Sequence, residues 1–315
     1  MRYYGLALLK GMSAFGIVGC HLFLAPMTNA SKCLLHFCDL GVALFGAMIG
    51  FFLAMGYERK YVDGFSALAL HKAKRIIPAY AFWTIVYLVA SPVFNLVVRH
   101  KTIDARYLEP KYWIEALFLG GSSTCLWYLA YLFWWSAILY LLWEGHRLFR
   151  RPFVLVVLSM ASLLVCVCVG GVYCDYGLCL FVFMTLGAAI YGASNLWRKL
   201  SAYLLMALMV VSLLAHIILP FHVYIRDYIA TLAIIPFFAQ INATNRMIAL
   251  LSNLSFGIYL IHPLLTMFFS ILCLRLFGAP TSVVVLIIDW VVVFIVCSII
   301  VLSLKKCKYL EWIVR

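Results

Sequence analysis

The sequence predicts an all-α polytopic membrane protein with about ten transmembrane helices and both termini in the cytoplasm. Three observations carry this. Of 315 residues, 67% are hydrophobic and only 11% are charged, and the mean hydropathy is +1.07; an ordinary soluble domain is excluded. Apolar stretches of helical spanning length follow one another at roughly 5–27, 38–57, 76–98, 123–143, 152–170, 177–195, 201–219, 225–241, 253–274 and 281–304. The formal charge of +13 is distributed by side rather than clustered as for nucleic acid. With the N-terminus inside, cytoplasmic segments hold Arg2, the five cations from Arg59 to Arg75, Arg147, Arg150, Arg151, Arg198, Lys199, Arg246, and the four from Lys305 to Arg315. Exterior segments hold Lys32, Arg99, Lys101, Arg106, Lys111, Arg226 and Arg275, and Lys10 lies within a span.

The first stretch is expected to remain in the protein. It is long, Lys10 interrupts it, and no small-residue cleavage site follows. Lys10 and His21 stand eleven residues apart in it, three helical turns, which returns both to one face about 16 Å apart. Ionisable groups at membrane depth are functional candidates. Lys10 is either a lysine snorkelling to the cytoplasmic surface or a cation that holds an anionic ligand. His21 is either a packing histidine or a general base, since imidazole titrates near neutrality.

Residues 58–75 form a basic connection in which Phe65, Leu68, Ala69 and Lys72 have the spacing of a short interfacial helix. Lys72, Lys74, Arg75 and Pro78 close it. They read as positive-inside anchoring or as a phosphate clamp. Residues 99–122 form the longest exterior loop, whose Tyr107, Tyr112 and Trp113 suit the headgroup layer. The fourth span is dense in aromatic residues from Trp127 to Trp143. In the ninth, Pro263 removes a backbone donor next to His262 and bends the helix. Asp289 in the tenth pairs with a neighbouring hydroxyl or histidine rather than acting in catalysis. Eleven cysteines give no disulfide framework, with Cys33, Cys38 and Cys174 the ones near exterior loops. There is no phosphate-binding glycine loop, metal-spaced His/Cys cluster, Gly-x-Ser-x-Gly elbow or HExxH motif. One membrane domain, 1–315, accounts for the chain, without an internal repeat.

Taken in order, these pieces resemble the acyltransferase-3 family of bacterial integral-membrane acyltransferases. Lys10 and His21 match its cation, ten residues and histidine in the first span. Phe45-Gly46-Ala47-Met48-Ile49-Gly50-Phe51 matches a second-span motif, with Ile49 where serine is usual. Lys72-Ala73-Lys74-Arg75-Ile76-Ile77-Pro78-Ala79-Tyr80 matches the entry to the third span, and Leu126-Trp127-Tyr128-Leu129 and Ser255–Pro263 are also similar. The resemblance implies a multi-pass protein of the cytoplasmic (inner) membrane that takes an acyl group, commonly acetyl, from cytoplasmic acyl-CoA. The acceptor would be a hydroxyl of a surface glycan or polyprenyl-linked sugar. It implies no metal and no permanently bound cofactor. Lys10, Lys72 and Arg75 would hold donor phosphates, with Tyr80, Trp127, Tyr259, His262 and Asp289 in support. His21 would be the base or a covalent acyl relay, the base role needing no nucleophile. A secondary transporter or polysaccharide exporter with Lys10 and His21 in its path is the main rival, and a binder of polyprenyl-linked precursors without chemistry is the second.

Overall fold

The computed structural model describes residues 3–22, 29–59, 64–97, 107, 109–119, 126–169, 175–218, 222–242, 245–277 and 283–314. Its helices are α1 (Tyr4–Cys20), α2 (Asn29–Arg59), α3 (Gly64–Val97), α4 (Pro110–Leu119), α5 (Trp127–Gly145), α6 (Pro152–Val169), α7 (Asp175–Gly192), α8 (Ser194–Trp197), α9 (Ala202–Ile218), α10 (Val223–Gln240), α11 (Arg246–Phe277) and α12 (Val283–Lys306). Among the described residues there is no strand. Each of the ten apolar stretches contains a helix. Among the described residues four segments are long and apolar enough to cross a bilayer: Phe37–Glu58, Ile76–Phe94, Arg246–Leu272 and Val283–Lys306. Tyr4–Cys20, Pro152–Cys168, Gly177–Gly192 and Ala202–Ile217 are shorter apolar helices.

Close contacts fix the helix directions. Gly11 packs on Leu251 and His21 lies against His262, so α1 and α11 run parallel. Gly41 meets Ser13 while Gly16 meets Cys38, so α2 returns antiparallel to α1. Trp290 packs on Gly19 and Phe294 on Phe15, which makes α12 antiparallel to α1 as well. Helix α2 runs with α7: Gly46 touches Leu180, and Phe51 reaches Tyr191. Odd and even spans of the sequence scheme thus point in opposite directions at each of these contacts.

Without a hydrophobic drive between helices in lipid, close packing at small residues holds such bundles. A Cβ on Gly50 would lie 1.9 Å from the Met184 carbonyl oxygen, and one on Gly187 would lie 1.8 Å from that of Ala47. These glycines let the α2 and α7 backbones touch, so Gly50 of the second-span motif has a packing role. Replacing Gly187 with Val should force the helices apart and cost about 3 kcal/mol. Thermal unfolding in detergent reads this as a lowered melting temperature.

Two segments differ from expectation. The connection 58–75 is not a separate interfacial helix, because from Gly64 onward it is the start of α3, continuous through Pro78. Once the helix is under way, Pro78 removes only the bond to the Lys74 carbonyl. The segment 99–122, expected as an exterior loop, contains α4. There the Tyr80 hydroxyl donates to the Ala116 carbonyl at 2.8 Å and Trp134 Nε1 donates to that of Phe118 at 3.4 Å. Tyr80 lies about 25 Å along α3 from Val97, so α4 packs beside α3 and α5 rather than beyond their far ends. Its own composition explains this: Trp113, Ile114, Leu117 and Phe118 expose apolar surface that favours lipid over water.

Candidate active site

The site is assembled around the parallel pair α1 and α11. Lys10 and His21 belong to α1, but the helix ends at Cys20, and His21 is its C-cap. The His21 backbone N–H donates to the Val18 carbonyl at 3.4 Å. His21 is therefore at a helix terminus rather than inside a span reaching residue 27. Gly19 precedes that end, and Pro26 follows it in sequence. Helix α12 pins the terminus in place: Trp290 stacks on Phe15 at 4.2 Å, and its Nε1 donates to the Phe15 carbonyl at 2.7 Å. Asp289, the neighbour of Trp290, is buried.

The opposing histidine is set by a proline. Pro263 has no N–H, so the Tyr259 carbonyl, four residues earlier, loses its helical donor. His262 Nδ1 takes that place at 2.7 Å, with the Ile258 carbonyl at 3.3 Å. A carbonyl only accepts, so Nδ1 carries the proton and Nε2 is the acceptor. Helix α3 supports the same turn, since the Tyr87 hydroxyl donates to the Leu260 carbonyl at 2.7 Å. The His262 ring lies 5.2 Å from that of His21 and 5.8 Å from that of Tyr259. His262 is fully buried, whereas His21 is partly exposed. Changing Pro263 to Ala restores an N–H that competes for the Tyr259 carbonyl and loosens the imidazole. The expected result is a helix at least as stable in a thermal melt, with acyl transfer lowered about tenfold.

A cavity of about 410 Å³ runs beside this layer. Lys10, Ser252, Tyr128 and Tyr259 line it together with apolar side chains including Phe45, Ile49 and Phe256. Tyr128, Tyr259 and Phe45 form an aromatic layer, with ring separations of 5.4, 6.4 and 6.1 Å. Neither histidine lines the cavity. Lys10 and His21, on one helix face by their spacing, do not share this cavity. It is lined by Lys10 and by the two tyrosines, and His262 lies between Tyr259 and His21 in the chain of ring contacts.

A second space of about 960 Å³ shares Lys10, Ser252 and Phe256 with the first. Lys74, Lys305 and Glu311 also line it, so three lysines and one glutamate surround a vestibule. Antiparallel packing of α12 on α11 brings Lys305 there, where its ammonium donates to the Asn253 carbonyl. The C-terminal 3-10 turn Glu311–Ile313 forms part of the wall, fixed to α3 by a 2.7 Å bond from Trp83 Nε1 to the Ile313 carbonyl.

Other sequence candidates are placed differently. The side chains of Lys72 and Arg75 lie outside the described residues. Tyr80 spends its hydroxyl on α4. Trp127 packs on Tyr128 and Tyr131 and does not line the cavity. Lys305, Glu311, Ser252 and Tyr128 were not among the site residues expected from sequence. Only Tyr128 carried a signal, as part of the Leu126–Leu129 stretch. Among the described residues no group of His, Cys, Asp and Glu could hold a metal ion. Among the described residues seven cysteines, Cys38 among them, form no disulfide, while the Cys33 side chain and Cys174 lie outside the described residues.

Residues 3–304 match a family model described as an acyltransferase domain, that of the acyltransferase-3 family. No curated protein and no solved structure matches the chain. A match over nearly the whole length, on an all-helical bundle with membrane-spanning helices, means that this chain belongs to the acyltransferase-3 family and is a membrane acyltransferase.

Proposed function

We propose that this protein moves an acyl group, acetyl in the simplest case, from cytoplasmic acyl-CoA to a hydroxyl of a surface or polyprenyl-linked glycan, with His21 as general base. It would work in the inner membrane with ten crossings and both termini cytoplasmic, as the alternating helix directions and the charge asymmetry support. The single observation carrying the reading is the ordered line from cationic vestibule to apolar cavity to aromatic layer to paired histidines.

Each part suits one part of the reaction. Phosphates of the coenzyme pair with Lys10, Lys74 and Lys305, and with Lys72 and Arg75 from the third-span motif. The pantetheine arm extends from Lys10 through the apolar cavity toward Tyr128 and Tyr259. The thioester then reaches the aromatic layer, in surroundings apolar enough to keep water from hydrolysing it. His21, partly exposed, receives the acceptor from the other side. It takes the hydroxyl proton as the oxygen attacks the acyl carbon, and His262 holds it in place.

Mass spectrometry of the envelope glycan, with and without this protein, tests the reading. One acyl unit lost per repeat on deletion supports it and identifies the acyl group. An unchanged glycan refutes it.

A further inference from the structure

One buried hydroxyl on the cavity wall serves nothing in the fold. Tyr128 is 3% exposed and lines the 410 Å³ cavity. Its Oη has no hydrogen-bond partner among the described residues. An unmet buried hydroxyl costs about 1–3 kcal/mol, and phenylalanine would fill the same space beside Phe45 and Tyr259 without that cost. The cavity that Tyr128 lines is otherwise apolar except for Lys10, Ser252 and Tyr259. Tyr128 also stands in the first turn of α5, where the positive end of the helix dipole favours negative charge. Through Tyr259 it borders the histidine pair.

We propose that Tyr128 is a further catalytic residue, whose hydroxyl donates a hydrogen bond to the carbonyl oxygen of the donor thioester. This rests on the acyl-transfer reading above. As the acceptor oxygen bonds to the acyl carbon, the carbonyl electron pair moves onto its oxygen, and the Tyr128 O–H stabilises that charge. The pair then returns, the C–S bond breaks, and the coenzyme leaves as a thiol with the proton that His21 took from the acceptor. Tyr128 keeps its own proton throughout. A donor aimed at developing charge in a water-poor site acts mainly on the rate.

The test is Tyr128→Phe in the full-length protein, purified and reconstituted in liposomes. Acetyl-CoA is the donor, the glycan fraction extracted from the cell envelope is the acceptor, and thiol release is followed. The expected result is a kcat lower by about 10²-fold, a donor KM within about twofold, and a melting temperature equal or higher. Incorporating 3-fluorotyrosine at position 128, which keeps the O–H, should restore most of the rate. A Phe variant with the wild-type kcat overturns the assignment, as does a rate loss that tracks a lowered melting temperature or that 3-fluorotyrosine leaves unrestored. If the wild-type protein releases no thiol, the acyltransferase reading falls and Tyr128 falls with it. An active wild type beside an unimpaired Phe variant removes Tyr128 alone.

Discussion

Changing His21 to Ala should lower acyl transfer about 10³-fold or more while leaving the protein folded in the membrane. The size follows from the usual worth of a positioned general base, about 10²–10⁴, at a site where the structure offers no ready substitute. Although His262 is 5.2 Å away ring to ring, it is fully buried, whereas His21 is partly exposed and open to the acceptor. Stability should change modestly, because His21 is a partly exposed helix cap whose ring meets His262 rather than a residue of the fully buried core. Thiol release from acetyl-CoA by the purified variant measures the first effect, and a thermal melt measures the second. The same assay separates base from covalent relay. A base gives no acyl-enzyme when donor is supplied without acceptor, whereas a relay gives a burst of one thiol per protein and an acylated imidazole.

Changing Lys10 to Glu should raise the donor KM about 10²-fold or more and alter kcat far less. Lys10 is shared between vestibule and cavity, so the donor passes it on the way in. At about 6 Å and an effective dielectric constant near 20, one pair of unit charges is worth about 3 kcal/mol. Reversing the sign turns that attraction into repulsion, with salt and Glu311 moderating the result. Neutral Lys10→Met should fall between the two. A Lys10→Glu protein with an unchanged KM would place the coenzyme phosphates elsewhere. Rising salt should raise the wild-type KM more steeply than that of the Glu variant, a difference in slope that packing damage would not produce.

The helices were legible from sequence because length and apolarity decide them in a membrane protein. The partial failures have physical causes. Hydropathy does not mark a helix end inside an apolar stretch, so α1 was drawn through His21 to residue 27. An apolar segment too short to span, such as α4, is easily assigned to a loop. The histidine pair was half legible. Spacing along one helix links Lys10 to His21, and Pro263 marks His262 as unusual. That His21 and His262 face each other depends on the parallel packing of α1 and α11, which no local pattern encodes. The same limit hid Lys305, which resembles an ordinary anchoring cation until α12 packs on α11. Tyr128 was one aromatic residue among many in its span, and what distinguishes it is an unpartnered hydroxyl on a residue that lines the cavity.

The most direct measurement uses reconstituted protein, isotopically labelled acetyl-CoA and envelope glycan, and counts label in the glycan for wild type and His21→Ala side by side. Labelled glycan from the wild type and essentially none from the variant is the result expected of an imidazole base. Equal labelling by both, or none by the wild type while glycan still crosses the bilayer without coenzyme, would contradict it and point to a transporter.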